Sequence, residues 1–223
     1  MQVQLPRLTD GRRAGLLAAV AVYPLTRIAG TIPRPALDRA IVSGAGMALA
    51  YAAATSTTNV VRDLVAAPDV FHRLGGPHPE EAGRQYQHLD VAGAVADIGE
   101  VVDQLRVLGA TKVGVTGFCM GGRLTYETAI SGIDVQCAVP FYGGGIAQRL
   151  GAPTCPTLLL FGGRDDYIPT DDIEAVRAHH PDDTVVYPEA GHGFFRDGSD
   201  SYDEAAAADA WHRLTGMLHA PLA

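Results

Sequence analysis

From Asp63 onward, short apolar runs alternate with segments whose apolar residues recur every three or four positions. This alternation is the pattern of βαβ units, in which helices join the strands of a mainly parallel sheet. It predicts an α/β fold with a mostly parallel central sheet flanked by helices. The predicted strands are Leu64–Ala67, Lys112–Thr116, Val135–Pro140, Thr157–Phe161 and Thr184–Tyr187.

The helical segments lie among these strands. Val91, Val95 and Ile98 follow the spacing of a buried helix face. Gly109 is expected to end that helix, because glycine readily adopts the left-handed conformation that follows a helix C terminus. Another helix is expected to be capped at its start by Thr170 or Asp171. The predicted helices are Asp90–Leu108, Gly121–Ile130, Thr170–His179 and Tyr202–Leu218.

The first 60 residues carry weaker patterns. Apolar segments on either side of Asp10-Gly11 predict an opening hairpin formed by Gln2–Leu5 and Ala14–Val22. Further along, Ala40–Ser43 is predicted as a strand and Met47–Thr57 as a helix.

Length and composition fit a single domain over residues 1–223, since α/β folds of this size routinely form one domain. The hydrophobic fraction of 47%, with 26 glycines and 14 prolines, suits a globular protein with many turns. The net charge of −8 argues against nucleic acid or an anionic membrane as a partner. We therefore expect a small molecule as the partner and a monomer or homodimer as the form of the protein. An anionic substrate would need locally placed arginines to bind it.

The three cysteines are an odd number, lie far apart and lack metal-ligand spacing, so neither a disulfide framework nor a metal is predicted. This favours a cytoplasmic protein. Arg12-Arg13 before the apolar stretch Ala14–Tyr23 is similar to an export signal, but it begins late and has no clear cleavage site. The stretch is also too short to span a bilayer, which needs about 20 apolar residues.

Gly117-Phe118-Cys119-Met120-Gly121 follows a predicted strand and precedes a predicted helix, the context of a nucleophile elbow with cysteine in place of serine. Such a turn forces the nucleophile into a strained conformation, and flanking glycines let neighbouring backbone pass. Cys119 would stand at a helix N terminus, where the Met120 N–H can stabilise an oxyanion. The alternative is a buried structural cysteine, the role expected for Cys137 and Cys155, which lie within or beside apolar strands.

Two more polar loops follow later strands. Asp165 and Asp166 come after Thr157–Phe161, and both are candidates for an acid. His192, between two glycines, comes after the next strand. Nucleophile, acid and histidine is the chain order of α/β-hydrolases, and all three fall at the carboxyl ends of strands, where such sheets bind ligands. A surface loop histidine is the alternative for His192.

These segments resemble the dienelactone hydrolase family over about 70% of the chain. The resemblance places the triad acid on Asp165. It also implies that Arg73 and Arg196 bind a substrate carboxylate, that enol-lactones are hydrolysed, and that no cofactor or metal is used. The matching segments are Gly117–Gly122 for the elbow, Phe161–Pro169 for the acid loop, Tyr187–Phe194 for the histidine loop and Ala67–Arg73 for the fourth-strand segment.

One family segment has no counterpart. Family members carry a His- or Gln-Glu-x-Phe-Gly segment after the third strand, and its glutamate interacts with the thiol, whereas the first glutamate here is Glu80. A broader carboxylesterase or thioesterase on the same scaffold therefore remains open, as does a non-catalytic relative that binds ligands or senses oxidants through Cys119. The aromatic candidates for a pocket wall are Tyr86, Tyr142, Phe194 and Phe195.

Overall fold

The computed structural model describes residues 23–24, 48–55, 61–66, 87–107 and 109–222. Strands and helices alternate from Val91 to Leu222, as predicted. A short 3-10 helix, Ala147–Arg149, lies between the strands Cys137–Phe141 and Leu159–Gly162. The elements are β1 (Tyr23–Pro24), β2 (Ala48–Thr55), β3 (Val61–Ala66), α1 (Val91–Val107), β4 (Lys112–Phe118), α2 (Met120–Ile130), β5 (Cys137–Phe141), β6 (Leu159–Gly162), α3 (Thr170–His179), β7 (Thr184–Tyr187) and α4 (Glu204–Leu222).

The described strands form one sheet in the order β1-β3-β2-β4-β5-β6-β7. Strands β4 to β7 pair in parallel, whereas β2 is antiparallel to both β3 and β4, and β1 is antiparallel to β3. It follows that β3 and β4 to β7 all point the same way, which confirms the mostly parallel sheet. Every residue of β4 after Lys112 is buried, as expected for a strand covered on both faces.

The predicted helix Met47–Thr57 is wrong: Ala48–Thr55 is the strand β2. Its alanines favour a helix intrinsically. However, β2 lies between β3 and β4 and is hydrogen-bonded to both, and this pairing outweighs a local preference. The predicted segments Gln2–Leu5, Ala14–Val22 and Ala40–Ser43 lie outside the described residues.

Gly109 ends α1 as predicted. It has a φ of 102°, and its N–H donates to the Arg106 carbonyl at 2.9 Å, while the Ala110 N–H donates to the Leu105 carbonyl at 2.9 Å. This pair of bonds is a Schellman ending. The predicted cap of α3 is wrong, because Thr170 is already helical and Pro169 occupies the capping position with no side-chain hydrogen bond.

Two apolar clusters hold the helices on the sheet. One joins α1, β4 and α2 around Ile98 and Leu124. The other joins β5 and β6 to α3 and α4 around Phe141 and Leu214. Within the described residues, none of the helices is both long enough and apolar enough to cross a membrane. The packing aligns the carboxyl ends of β4, β6 and β7, which lead to the three candidate loops.

Candidate active site

Cys119 occupies a sharp turn between β4 and α2 and is exposed, with φ 54° and ψ −117°. A side chain at Gly117 would place its Cβ 2.3 Å from the Gly121 carbonyl oxygen, and one at Gly122 would come within 2.2 Å of the Phe141 oxygen. Only glycine fits such close backbone approaches. The predicted elbow geometry is present, and Met120 is the first residue of the helix.

Tyr142 has the second unusual backbone conformation of the site. Cys119 and Tyr142 are the two non-glycine residues with positive φ in the described part of the chain, the latter at 35°. Backbone hydrogen bonds hold both turns: the Cys119 N–H donates to the Phe141 carbonyl at 3.1 Å, and the Tyr142 N–H donates to Leu160 at 2.7 Å. Strained residues that cluster in this way are typical of functional sites.

The side chain of Asp165 is fully buried. Its Oδ1 accepts the backbone N–H groups of Tyr167 at 2.8 Å and Ile168 at 3.0 Å, and its Oδ2 lies 2.8 Å from Nδ1 of His192. The neighbouring Asp166 is exposed. The structure therefore joins Asp165, not Asp166, to the histidine.

Close packing fixes the acid and histidine loops against each other. A Cβ at Gly162 would lie 2.5 Å from the Ala190 oxygen, so no side chain fits between the loops there. The Arg164 N–H donates to the Ala190 carbonyl at 2.9 Å, and the Arg164 guanidinium pairs with Glu189. These contacts set the distance between Asp165 and His192.

The two ring nitrogens of His192 have different roles. Nδ1 faces Asp165, and Nε2 is left for the Cys119 thiol, which acts on the pKa of the imidazole. Burial lowers the pKa of His192, but the hydrogen bonds to Asp165 and Cys119, with their charges, outweigh it and raise the pKa to about 9. Because a carboxylate can only accept, Nδ1–H is the donor toward Asp165. This leaves Nε2 to exchange a proton with the sulfur.

The predicted aromatic residues lie at different depths. Tyr142 is 3% exposed, and its ring centroid lies 5.0 Å from that of His192. Burial raises the pKa of the Tyr142 phenol, and so does the charge of Cys119. Phe194 is fully buried 5.4 Å from Tyr142, and Phe195 stacks on Phe118 at 5.6 Å, so both support the site from the core.

Tyr167 was not a sequence candidate. It is 81% exposed, and its ring centroid lies 4.9 Å from that of His192. The sequence offered one signal for this residue, its position two residues after Asp165. The Asp165 carboxylate that orients the histidine also accepts the backbone N–H of Tyr167.

Arg196 is exposed, and its N–H donates to the Gly193 carbonyl at 2.9 Å. Its positive charge lowers the pKa of Tyr142, against burial and the charges of Cys119 and Asp165, which raise it. Arg73 and Tyr86 lie outside the described residues. Among those described, no group of three or more His, Cys, Asp or Glu side chains is arranged to hold a metal ion.

The two other cysteines differ from Cys119. Cys137 is fully buried in β5, and burial, followed by the charge of Cys155, raises the pKa of its thiol to about 12. Cys155 is half-buried and packs against the cluster around α1. Both match the predicted core role, and all three thiols are free.

The parallel sheet, its flanking helices and the elbow after β4 define an α/β-hydrolase fold. A profile of the dienelactone hydrolase family matches residues 64–222, and the chain belongs to this family.

Named relatives agree with this assignment. The chain is 31% identical over 174 residues to a Salmonella typhimurium protein provisionally named carboxymethylenebutenolidase, covering 68% of this chain and 64% of the relative. It is 32% identical over 152 residues to carboxymethylenebutenolidase of Pseudomonas putida, covering 64% of each. The chain thus spans slightly less than two thirds of each relative's length.

A crystal structure of a Klebsiella pneumoniae protein, provisionally named a dienelactone hydrolase, is similar in fold. It aligns with a TM-score of 0.61 at 27% identity, over 70% of this chain and 75% of that one.

Proposed function

We propose that this chain hydrolyses carboxylic ester or lactone bonds, with Cys119 as the nucleophile, His192 as the general base and Asp165 as the residue that orients the histidine. The observation that carries the proposal is the hydrogen bond from Nδ1 of His192 to the fully buried side chain of Asp165, together with the effect of the Cys119 thiol on the pKa of the same imidazole. A nucleophile, a base and an orienting acid in hydrogen-bond contact are the parts that acyl transfer requires.

In the first half-reaction, Nε2 of His192 holds the proton that Cys119 gives up, which the raised pKa of the imidazole favours, and Sγ of Cys119 attacks the carbonyl carbon. Negative charge then gathers on the carbonyl oxygen. The N–H of Met120 has no acceptor within its own helix because Met120 is its first residue, so it can donate to that oxygen. As the C–O bond breaks, His192 returns the proton to the leaving oxygen and an acyl-cysteine remains.

In the second half-reaction, His192 takes a proton from water, and the resulting hydroxide equivalent attacks the thioester carbon. The C–S bond breaks, and the sulfur regains a proton from the imidazolium. The product is a carboxylic acid, which ionises at neutral pH. Asp165 holds Nδ1–H throughout, which keeps Nε2 free for each proton transfer.

The substrate we infer is a small anionic lactone of the enol-lactone type. The name carboxymethylenebutenolidase, borne by the Pseudomonas putida relative, supports this choice. The positive charge of Arg196, which acts on the Tyr142 phenol, supports an anionic group on the substrate, which Arg73 would also bind. Three free thiols suit a reducing, cytoplasmic setting, and residues 1–223 would form one domain.

The direct test is turnover of p-nitrophenyl acetate beside dienelactone, followed by acid quenching and mass spectrometry of the peptide that contains Cys119. Hydrolysis of both substrates, with an acyl group on Cys119, is the expected result. Turnover of the acetate alone would indicate a broad esterase or thioesterase. If neither substrate is hydrolysed and Cys119 is not acylated, the proposal is overturned and a binding or redox-sensing protein is favoured.

Arg196→Ala is expected to raise KM for carboxylate-bearing lactones about tenfold or more while changing KM for neutral esters little. Only the anionic substrate uses the charge-assisted hydrogen bonds of the guanidinium, each worth about 1.5–3 kcal/mol. Arg73→Ala should behave in the same way. The exposed Arg177, which pairs with Glu174 on α3, supplies a control as Arg177→Ala. Equal losses on charged and neutral substrates would remove both arginines from the binding site.

A further inference from the structure

Tyr167 and Val107 are the two large hydrophobic side chains that stand mostly in solvent in the described part of the chain, at 81% and 76% exposure. Val107 ends α1, away from the candidate site. The Tyr167 ring lies 4.9 Å from the ring of His192, at an interplanar angle of 59°. Its backbone is held by the hydrogen bond from its N–H to Oδ1 of Asp165. The carboxylate that orients His192 therefore also positions this exposed ring.

The imidazole contacts two tyrosines, but only one of them has surface to offer a ligand. Tyr142 is 3% exposed, so its ring is committed to the core, whereas most of the Tyr167 ring faces outward. An aromatic ring left in water forgoes the favourable burial of its apolar surface. A planar ligand group recovers part of this, because aromatic faces and edges stack favourably on one another.

The proton path identifies the part of the substrate that would meet this ring. The acyl carbon sits on Sγ of Cys119, with its oxygen toward the Met120 N–H. The leaving oxygen must instead face His192, which returns a proton to it. Groups bonded to the leaving oxygen are thus the ones that lie beside the histidine and the ring next to it.

We propose that Tyr167 is a specificity-determining residue that binds a planar, unsaturated group on the alcohol side of the scissile ester or lactone bond. The inference rests on the proposed hydrolytic function. It adds a contact for the leaving half of the substrate, distinct from the arginines that would bind a carboxylate. Its action is direct contact with the substrate and does not depend on moving His192.

Paired esters separate this role from a structural one. Phenyl acetate and cyclohexyl acetate share an acyl group but differ in the planarity of the alcohol half, while phenyl acetate and phenyl butyrate share the alcohol half. Values of kcat/KM would be compared for the wild type, Tyr167→Ala and Tyr167→Phe, with Val107→Ala as the exposed apolar control. Each variant is compared with the wild type on the same ester, so differences in ester reactivity cancel.

Tyr167→Ala should lower kcat/KM for phenyl acetate about three- to tenfold more than for cyclohexyl acetate, the range of one aromatic contact. Tyr167→Phe keeps the ring and should stay within about twofold of the wild type, as should Val107→Ala. Phenyl acetate and phenyl butyrate should be affected alike by Tyr167→Ala.

Equal losses on the phenyl and cyclohexyl esters would mean that Tyr167 only supports His192, and no loss on either would mean that the ring does not meet the substrate. Both results overturn the inference. The proposed function fails separately, if Cys119→Ala hydrolyses these esters as fast as the wild type.

Discussion

Replacing Cys119 with alanine should lower turnover of any ester or lactone at least about a thousandfold, because the covalent route then has no nucleophile. The fold should be unaffected. Cys119 is exposed at its turn, and alanine keeps the Cβ that already stands at a φ of 54°. The measurements are kcat/KM with p-nitrophenyl acetate and the midpoint of thermal unfolding.

Cys137→Ala is the matched control, and its effects should be the reverse. Cys137 is fully buried in β5, so its truncation leaves a small cavity and should cost about 1–2 kcal/mol of the free energy of unfolding. Turnover should stay close to the wild-type rate. Wild-type turnover by Cys119→Ala would show that the sulfur is not the nucleophile and would require a different site.

The sequence predicted the second part of the fold well because two local signals agreed there. Parallel strands buried on both faces appear as apolar runs, and the helices between them show a buried stripe. Helix α3 was predicted at its observed bounds, Thr170–His179. The helix prediction for residues 48–55 was wrong for the opposite reason. An alanine-rich segment carries little periodicity, and its strand state depends on pairing with β3 and β4, which no local pattern records.

The candidate site was foreseeable where chemistry imposes a motif. The elbow needs glycines around Cys119, and the acid and histidine loops follow two consecutive strands. The choice between Asp165 and Asp166 was different, because both aspartates occupy the same loop and only the turn geometry decides which one faces inward. In the structure, two backbone N–H groups bind Oδ1 of Asp165 and aim its Oδ2 at His192.

Depth within the site could not be predicted from residue type. Phe194 and Tyr167 are both aromatic and both adjoin a candidate loop, yet the first is fully buried and the second is 81% exposed. The difference arises from the tertiary packing of the loops: Phe194 turns toward Phe141 in the core, whereas Tyr167 projects from the turn that Asp165 organises.

That turn makes Asp165→Asn an informative substitution. The amide oxygen should take the place of Oδ1, because the N–H groups of Tyr167 and Ile168 both need an acceptor there. The NH2 group must then face Nδ1 of His192. Since an amide NH2 can only donate, Nδ1 becomes the acceptor and the ring proton moves to Nε2. In that tautomer the histidine cannot take the proton of Cys119, so kcat/KM should fall about 10³- to 10⁴-fold with little change of fold.

The pH dependence of unfolding supplies a second measurement. The pKa of His192 is raised in the folded protein to about 9 from an ordinary value of 6.5, so the charged imidazole stabilises the fold fully below pH 6.5 and loses this effect as the pH rises through 9. Asp165→Asn removes the part of this pKa increase that the carboxylate causes. Burial, which lowers the pKa of His192, remains. The wild type should therefore exceed the variant in thermal unfolding midpoint most clearly below pH 6.5, and the gap should narrow by pH 9. Asp166→Asn, at the exposed neighbour, should change neither kcat/KM nor the pH dependence of the thermal unfolding midpoint. If Asp166→Asn instead reduces turnover and Asp165→Asn does not, the acid has been assigned to the wrong residue.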